Sequence, residues 1–134
     1  MIKSISHIGI ATNNLENAQQ LFEQILGFGA GHTQRVEDQK VDVASFHIGD
    51  TDLELTSATS DDSPIAKFIQ KKGEGIHHIA FEVDDLRAEL ARLKSLGIRL
   101  IDEEPRTGAN NYLIAFLHPK STNGILIELC EKMR

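Results

Sequence analysis

Two stretches of this chain repeat each other. Ser6-His7-Ile8-Gly9-Ile10-Ala11-Thr12-Asn13-Asn14-Leu15 aligns with His77-His78-Ile79-Ala80-Phe81-Glu82-Val83-Asp84-Asp85-Leu86, so that His78 follows His7 by 71 residues. In a chain of 134 residues this offset is about half the length, which points to two copies of one supersecondary unit. Neither copy is long enough to bury a sufficient core alone, so the copies are expected to pack together.

Each copy reads as a strand, a helix and three further strands. Asn13/Asn14 and Asp84/Asp85 supply side-chain oxygens for the orphan N–H groups of a helix start. Ala18, Leu21, Phe22, Ile25 and Leu26 then form an apolar stripe at helical spacing, as do Leu86, Leu90, Leu93 and Leu96. Gly27 and Gly97 end the two patterns where a left-handed residue is cheap. The expected strands are 31–36, 41–48 and 51–56 in the first copy, with Gly49-Asp50 as a tight turn. In the second they are 98–102, 112–117 and 124–130. Between the copies, Asp62-Ser63-Pro64 starts a short helix through Ile69. The expectation is an α+β single domain over 1–134: two tandem βαβββ modules, about 1–56 and 76–134, joined by a linker of about 57–75, forming a cupped mixed sheet.

Alternation along the strands decides which side chains share a face. Ile8 and Ile10 point toward the helix, and His7 and Gly9 point away. In the fifth strand Ile79, Phe81 and Val83 form the helix-facing row, so His78 falls on the opposite face and His77 does not match His7. Leu53-Glu54-Leu55 and Ile125-Leu126-Ile127-Glu128-Leu129 each place a carboxylate inside an apolar run. A buried carboxylate requires a charge partner, a hydrogen-bond network or a metal. If the halves are related by a pseudo-twofold, His7, Glu54, His78 and Glu128 converge, and two imidazoles with two carboxylates suit a first-row divalent metal.

Charge and composition remove other classes. The formal net charge is −6, which argues against a nucleic-acid groove or a polybasic membrane patch. One cysteine excludes an intrachain disulfide framework and a thiolate zinc site; Cys130 reads as packing. There is no run of ~18 apolar residues to span a bilayer, and MIKSISHIGIA is unlike a signal peptide, so a cytoplasmic location is expected. A homodimer fits a small chain whose sheet leaves free edges. His32 and His47 read as surface residues.

The whole chain resembles the vicinal oxygen chelate superfamily of paired βαβββ modules. Within it, Asp62-Ser63-Pro64-Ile65-Ala66-Lys67-Phe68, Gly75-Ile76-His77-His78-Ile79-Ala80 and Phe116-Leu117-His118-Pro119-Lys120 resemble the methylmalonyl-CoA epimerases. The resemblance implies a divalent metal on His7, Glu54, His78 and Glu128, with Co2+ expected and Zn2+, Mn2+ or Ni2+ as alternatives. It also implies a CoA thioester substrate inverted at C2 through a metal-stabilised enolate. Glu128 is the expected proton-transfer group, with Glu54 ranked ahead of Asp42 as its opposite-face partner. Some bacterial relatives carry a third-strand glutamate where Val43 stands here. Lys120, Ser121 and Arg106 are candidate contacts to the CoA phosphates, and His118 either orients substrate or closes its turn. The competing readings are a glyoxalase-type isomerase acting on a glutathione hemithioacetal, a ring-cleaving dioxygenase, and a metal-free small-molecule-binding protein.

Overall fold

Sequence periodicity and turn chemistry set the element order in the computed structural model, which describes all 134 residues. The elements are β1 (Ile2–Ala11), α1 (Leu15–Leu26), β2 (His32–Val36), β3 (Val41–Ile48), β4 (Thr51–Ala58), α2 (Pro64–Lys72), β5 (Gly75–Val83), α3 (Leu86–Ser95), β6 (Arg106–Thr107), β7 (Tyr112–Leu117) and β8 (Leu126–Lys132). This is the expected βαβββ order twice over in an α+β chain, with α2 between the copies. No helix is long and apolar enough to cross a membrane.

The chain divides into two compact units, one formed by Ile8–His77 and the other by Met1–His7 with His78–Arg134. Both divisions fall inside a strand, β1 in one case and β5 in the other.

In the unit of Met1–His7 and His78–Arg134 the strand order is β1-β5-β8-β7-β6. β5 pairs with β8 in parallel, while β7 pairs antiparallel with β8 and β6, so the sheet is mixed. Asp85 caps α3 by accepting the Ala88 N–H at 3.0 Å. From there Leu86 and Leu90 reach a core with Val83, Ala115, Leu117 and Leu129, flanked by Phe81, Leu93 and Ile127. Burying each such leucine contributes roughly 1.5–3 kcal/mol. Leu96, expected on the same stripe, is the C-cap and is exposed, since the chain has left the helix one residue before Gly97 at φ +81°.

One expected strand is replaced. Residues 98–102 make only an isolated bridge, Leu100 to Leu117, and the short sixth strand forms instead at Arg106–Thr107. The cause is Asp102. Its carboxylate accepts the Phe116 N–H at 2.8 Å, taking the place of a strand carbonyl, while the Ile101 and Asp102 N–H groups both donate to Phe116 O.

In the unit Ile8–His77 the order is β2-β3-β4-β1, with β2–β3 and β3–β4 antiparallel. Asn14 caps α1 by accepting from Asn17 N, and Gly27 ends it at φ +83°. The stripe on α1 is narrower than expected. Leu15, Ala18, Phe22 and Leu26 pack with Ile10 on Ala44, Phe46 and Leu55, but Leu21 and Ile25 are exposed. At 100° per residue those two fall on the edge of the face that Ala18, Phe22 and Leu26 define. Ser63, itself fully buried, caps α2 by accepting from Ile65 N, and Ile65 packs on Ala11 and Val41. The helix runs to Lys72, three residues beyond the expected end.

Candidate metal centre

In the unit of Met1–His7 and His78–Arg134, α3 occupies one face of the sheet through the odd-numbered residues of β5, β7 and β8. The even-numbered residues therefore emerge on the other face. The parallel register sets Ala80 opposite Glu128 and His78 opposite Leu126, so His78 and Glu128 are diagonal neighbours there. His7 enters from the last position of the unit's first segment.

The three side chains meet. His7 Nε2 lies 3.0 Å from His78 Nε2, and Glu128 Oε1 lies 3.7 Å from each. The imidazole planes are nearly perpendicular, at 85°. All three side chains are largely withdrawn from solvent, at 17%, 15% and 10% exposure. A circle through the three ligand atoms has a radius of about 2.0 Å, matching ~2.0–2.2 Å metal–ligand distances for zinc. Two nitrogens and one carboxylate oxygen also form a donor set suited to first-row divalent ions. The residues therefore fit a metal. Phe116, opposite Glu128 on β7, lays its ring against His78 with centroids 6.4 Å apart, an apolar wall beside the cluster.

Glu54 belongs to the other unit. On β4 it stands opposite Ser45, half-buried, on the strand face away from Leu53 and Leu55, as alternation required. Val43 packs beside the cluster of Ala11, Val41 and Ile65. Asp42 is engaged by the Arg35 guanidinium through two hydrogen bonds of 2.7 and 3.1 Å. That contact holds its carboxyl below the usual range, which makes it a weaker proton acceptor.

The remaining candidates separate by what they touch. His118 Nδ1 accepts from Lys120 N, closing the turn at Pro119–Ser121, and Ser121 Oγ accepts from Arg99 N. Each side chain thus holds loop backbone through one atom, and Lys120 is exposed. Arg106 stacks its guanidinium on the Phe116 ring at 5.5 Å and pairs with Asp102 at 3.3 Å. His47 pairs with Asp52 and His32 with Gln34, both exposed. Cys130 is buried, its Sγ 3.5 Å from Phe81 O. His77 packs edge-on to Phe68, and burial lowers its pKa below the ordinary imidazole value.

Sequence reasoning missed Ser6, whose Oγ is 3.2 Å from His7 Nδ1, as well as Phe116 and Asp102. Of these only Phe116 carried a readable signal, since its parity places it on the face of Glu128.

The chain is also similar to known proteins. Residues 6–116 match the model of the Glyoxalase/Bleomycin resistance protein/Dioxygenase superfamily. The chain is 46% identical over 127 residues to the uncharacterized protein YqjC of Bacillus subtilis, covering 95% of this chain and 91% of that one. It is 40% identical over 131 residues to the ethylmalonyl-CoA/methylmalonyl-CoA epimerase of Cereibacter sphaeroides, covering 96% and 98%. Among solved structures, a variant of the Streptomyces coelicolor methylmalonyl-CoA epimerase in complex with 2-nitronate-propionyl-CoA superimposes with a TM-score of 0.89 at 37% identity, covering 98% and 96%.

Proposed function

Because this chain belongs to the Glyoxalase/Bleomycin resistance protein/Dioxygenase superfamily, we propose that it is an isomerase that inverts C2 of methylmalonyl-CoA at a divalent metal held by His7, His78 and Glu128. The observation that carries this reading is the triad of ligand atoms with its radius of about 2.0 Å, in a chain 40% identical to an ethylmalonyl-CoA/methylmalonyl-CoA epimerase.

A bound divalent ion supplies Lewis-acid stabilisation of the negative charge that develops on the thioester oxygen. The protein's own part is proton transfer. Glu128 faces both imidazoles through Oε1, which leaves Oε2 to take the C2 proton as the C–H electron pair moves toward the thioester carbonyl. Return of a proton from the opposite side of C2 then gives the other epimer. Glu54 is proposed as the fourth ligand and the second proton-transfer group; that assignment rests on the superfamily pattern. Phe116 places an aromatic ring beside His78. Arg106 and the exposed Lys120 are the cations proposed to meet the CoA phosphates, and Ser121 and His118 shape the loop that carries Lys120. Co2+ is the proposed ion.

The test incubates Co2+-loaded protein with either epimer in D2O and follows deuterium entry at C2 together with inversion. Both are expected, both should stop on chelation, and both should return with Co2+. Turnover of the methylglyoxal–glutathione hemithioacetal without C2 exchange in methylmalonyl-CoA would replace this reading with a glyoxalase-type one.

A further inference from the structure

A neutral imidazole carries one ring proton, and a histidine that gives Nε2 to a metal must keep that proton on Nδ1. The hydrogen-bond acceptor at Nδ1 then fixes the tautomer and the ring orientation and raises the basicity of Nε2. His7 directs Nε2 at His78 and Glu128, while its Nδ1 lies 3.2 Å from Ser6 Oγ. Both residues are half-buried, which limits the access of water as a substitute acceptor.

We infer that Ser6 is the positioning residue of His7, its hydroxyl oxygen accepting the Nδ1 proton and holding Nε2 toward the centre. In this role Ser6 acts through the ring of His7. A serine hydroxyl can also donate. With Nε2 on an ion, however, Nδ1 bears the proton and Ser6 Oγ can only accept from it. A cation on Nε2 polarises the Nδ1–H and strengthens its bond to Ser6 Oγ, so loss of that bond should appear first as weaker metal binding. The inference rests on the metal reading of the site proposed above.

The experiment measures Zn2+ and Co2+ affinity by competition with a chromophoric chelator for the unaltered chain, S6A and S6T. It also follows solvent exchange of the His7 Nδ1 proton by NMR in the Zn2+-loaded proteins. In S6A the affinity should fall about tenfold and the Nδ1 proton should exchange faster, with the melting temperature of the metal-free protein unchanged. S6T, which keeps a hydroxyl, should restore both. An S6A affinity within twofold of the unaltered chain, or an equal exchange rate, overturns the role given to Ser6 while the metal reading stands. An unaltered chain that takes up neither ion overturns the metal reading itself, and the role of Ser6 with it.

Discussion

In the unit of Met1–His7 and His78–Arg134, one core of six buried residues runs beneath α3 and continues into β5, β7 and β8. In the unit Ile8–His77 the buried core splits into two clusters of three, one beneath α1 and one beneath α2, and α1 has no fully buried residue. The carboxylates differ in the same sense. Glu128 is buried between strand neighbours that belong to the single core, whereas Glu54 is half-buried. Reactive groups must be held within about half an ångström of their working positions, which favours side chains on well-anchored elements. The triad of His7, His78 and Glu128 lies in the unit whose core is continuous. A duplicated pattern thus does not give two equal supports.

The largest expected effect contrasts the two carboxylates. Glu128→Gln should lower deuterium entry at C2 of methylmalonyl-CoA by at least about 100-fold, with the circular dichroism spectrum unchanged. Glu54→Gln should cost less, and an equal loss would erase the contrast between them. Next come the helices. Leu90→Ala removes a buried side chain from the continuous core and should cost about 2–5 kcal/mol in urea unfolding. Ile25→Ala, on the exposed side of α1, should stay within about 0.5 kcal/mol of the unaltered protein.

The caps should behave alike. Asn14→Ala and Asp85→Ala each remove a side-chain acceptor from a helix start and should each cost about 1 kcal/mol. A clear inequality would show that the repeat is broken even at its helix entries. The smallest effect concerns pH. Arg92, and after it the N-terminal ammonium, hold the Glu89 carboxyl below its ordinary range. Its stabilisation is therefore complete above the unfolded value of about 4.3 and is lost as pH falls through the lowered folded value. Glu89→Gln should flatten the fall in melting temperature below about pH 4.3; an unchanged slope would remove Glu89 from the account.

Much of this was legible in the chain because it rested on local rules. Period-two alternation placed His78 and Glu128 on the face away from α3, and side-chain oxygens marked the starts of α1, α2 and α3. The failures share a cause, which is that side chains did the work of backbone or packing decided between neighbours. Asp102 stands in for a strand carbonyl, so residues 98–102 make one isolated bridge rather than a strand. Leu21 and Ile25 matched the helical spacing, yet lie at the margin of the face that α1 buries. In the sequence Ser6 is only the first residue of the repeat, and the ring position of His7 shows what it meets.

The division of the chain inside β1 and β5 has a consequence for biosynthesis. The unit Ile8–His77 is one uninterrupted stretch, so all of it is synthesised before β8 is made. The unit that carries the triad must wait for β8 and then recover Met1–His7, made before that whole stretch. At roughly 5–20 residues per second, several seconds separate the two events. A nascent chain that stalls short of Glu128 therefore holds both imidazoles of the triad without its carboxylate.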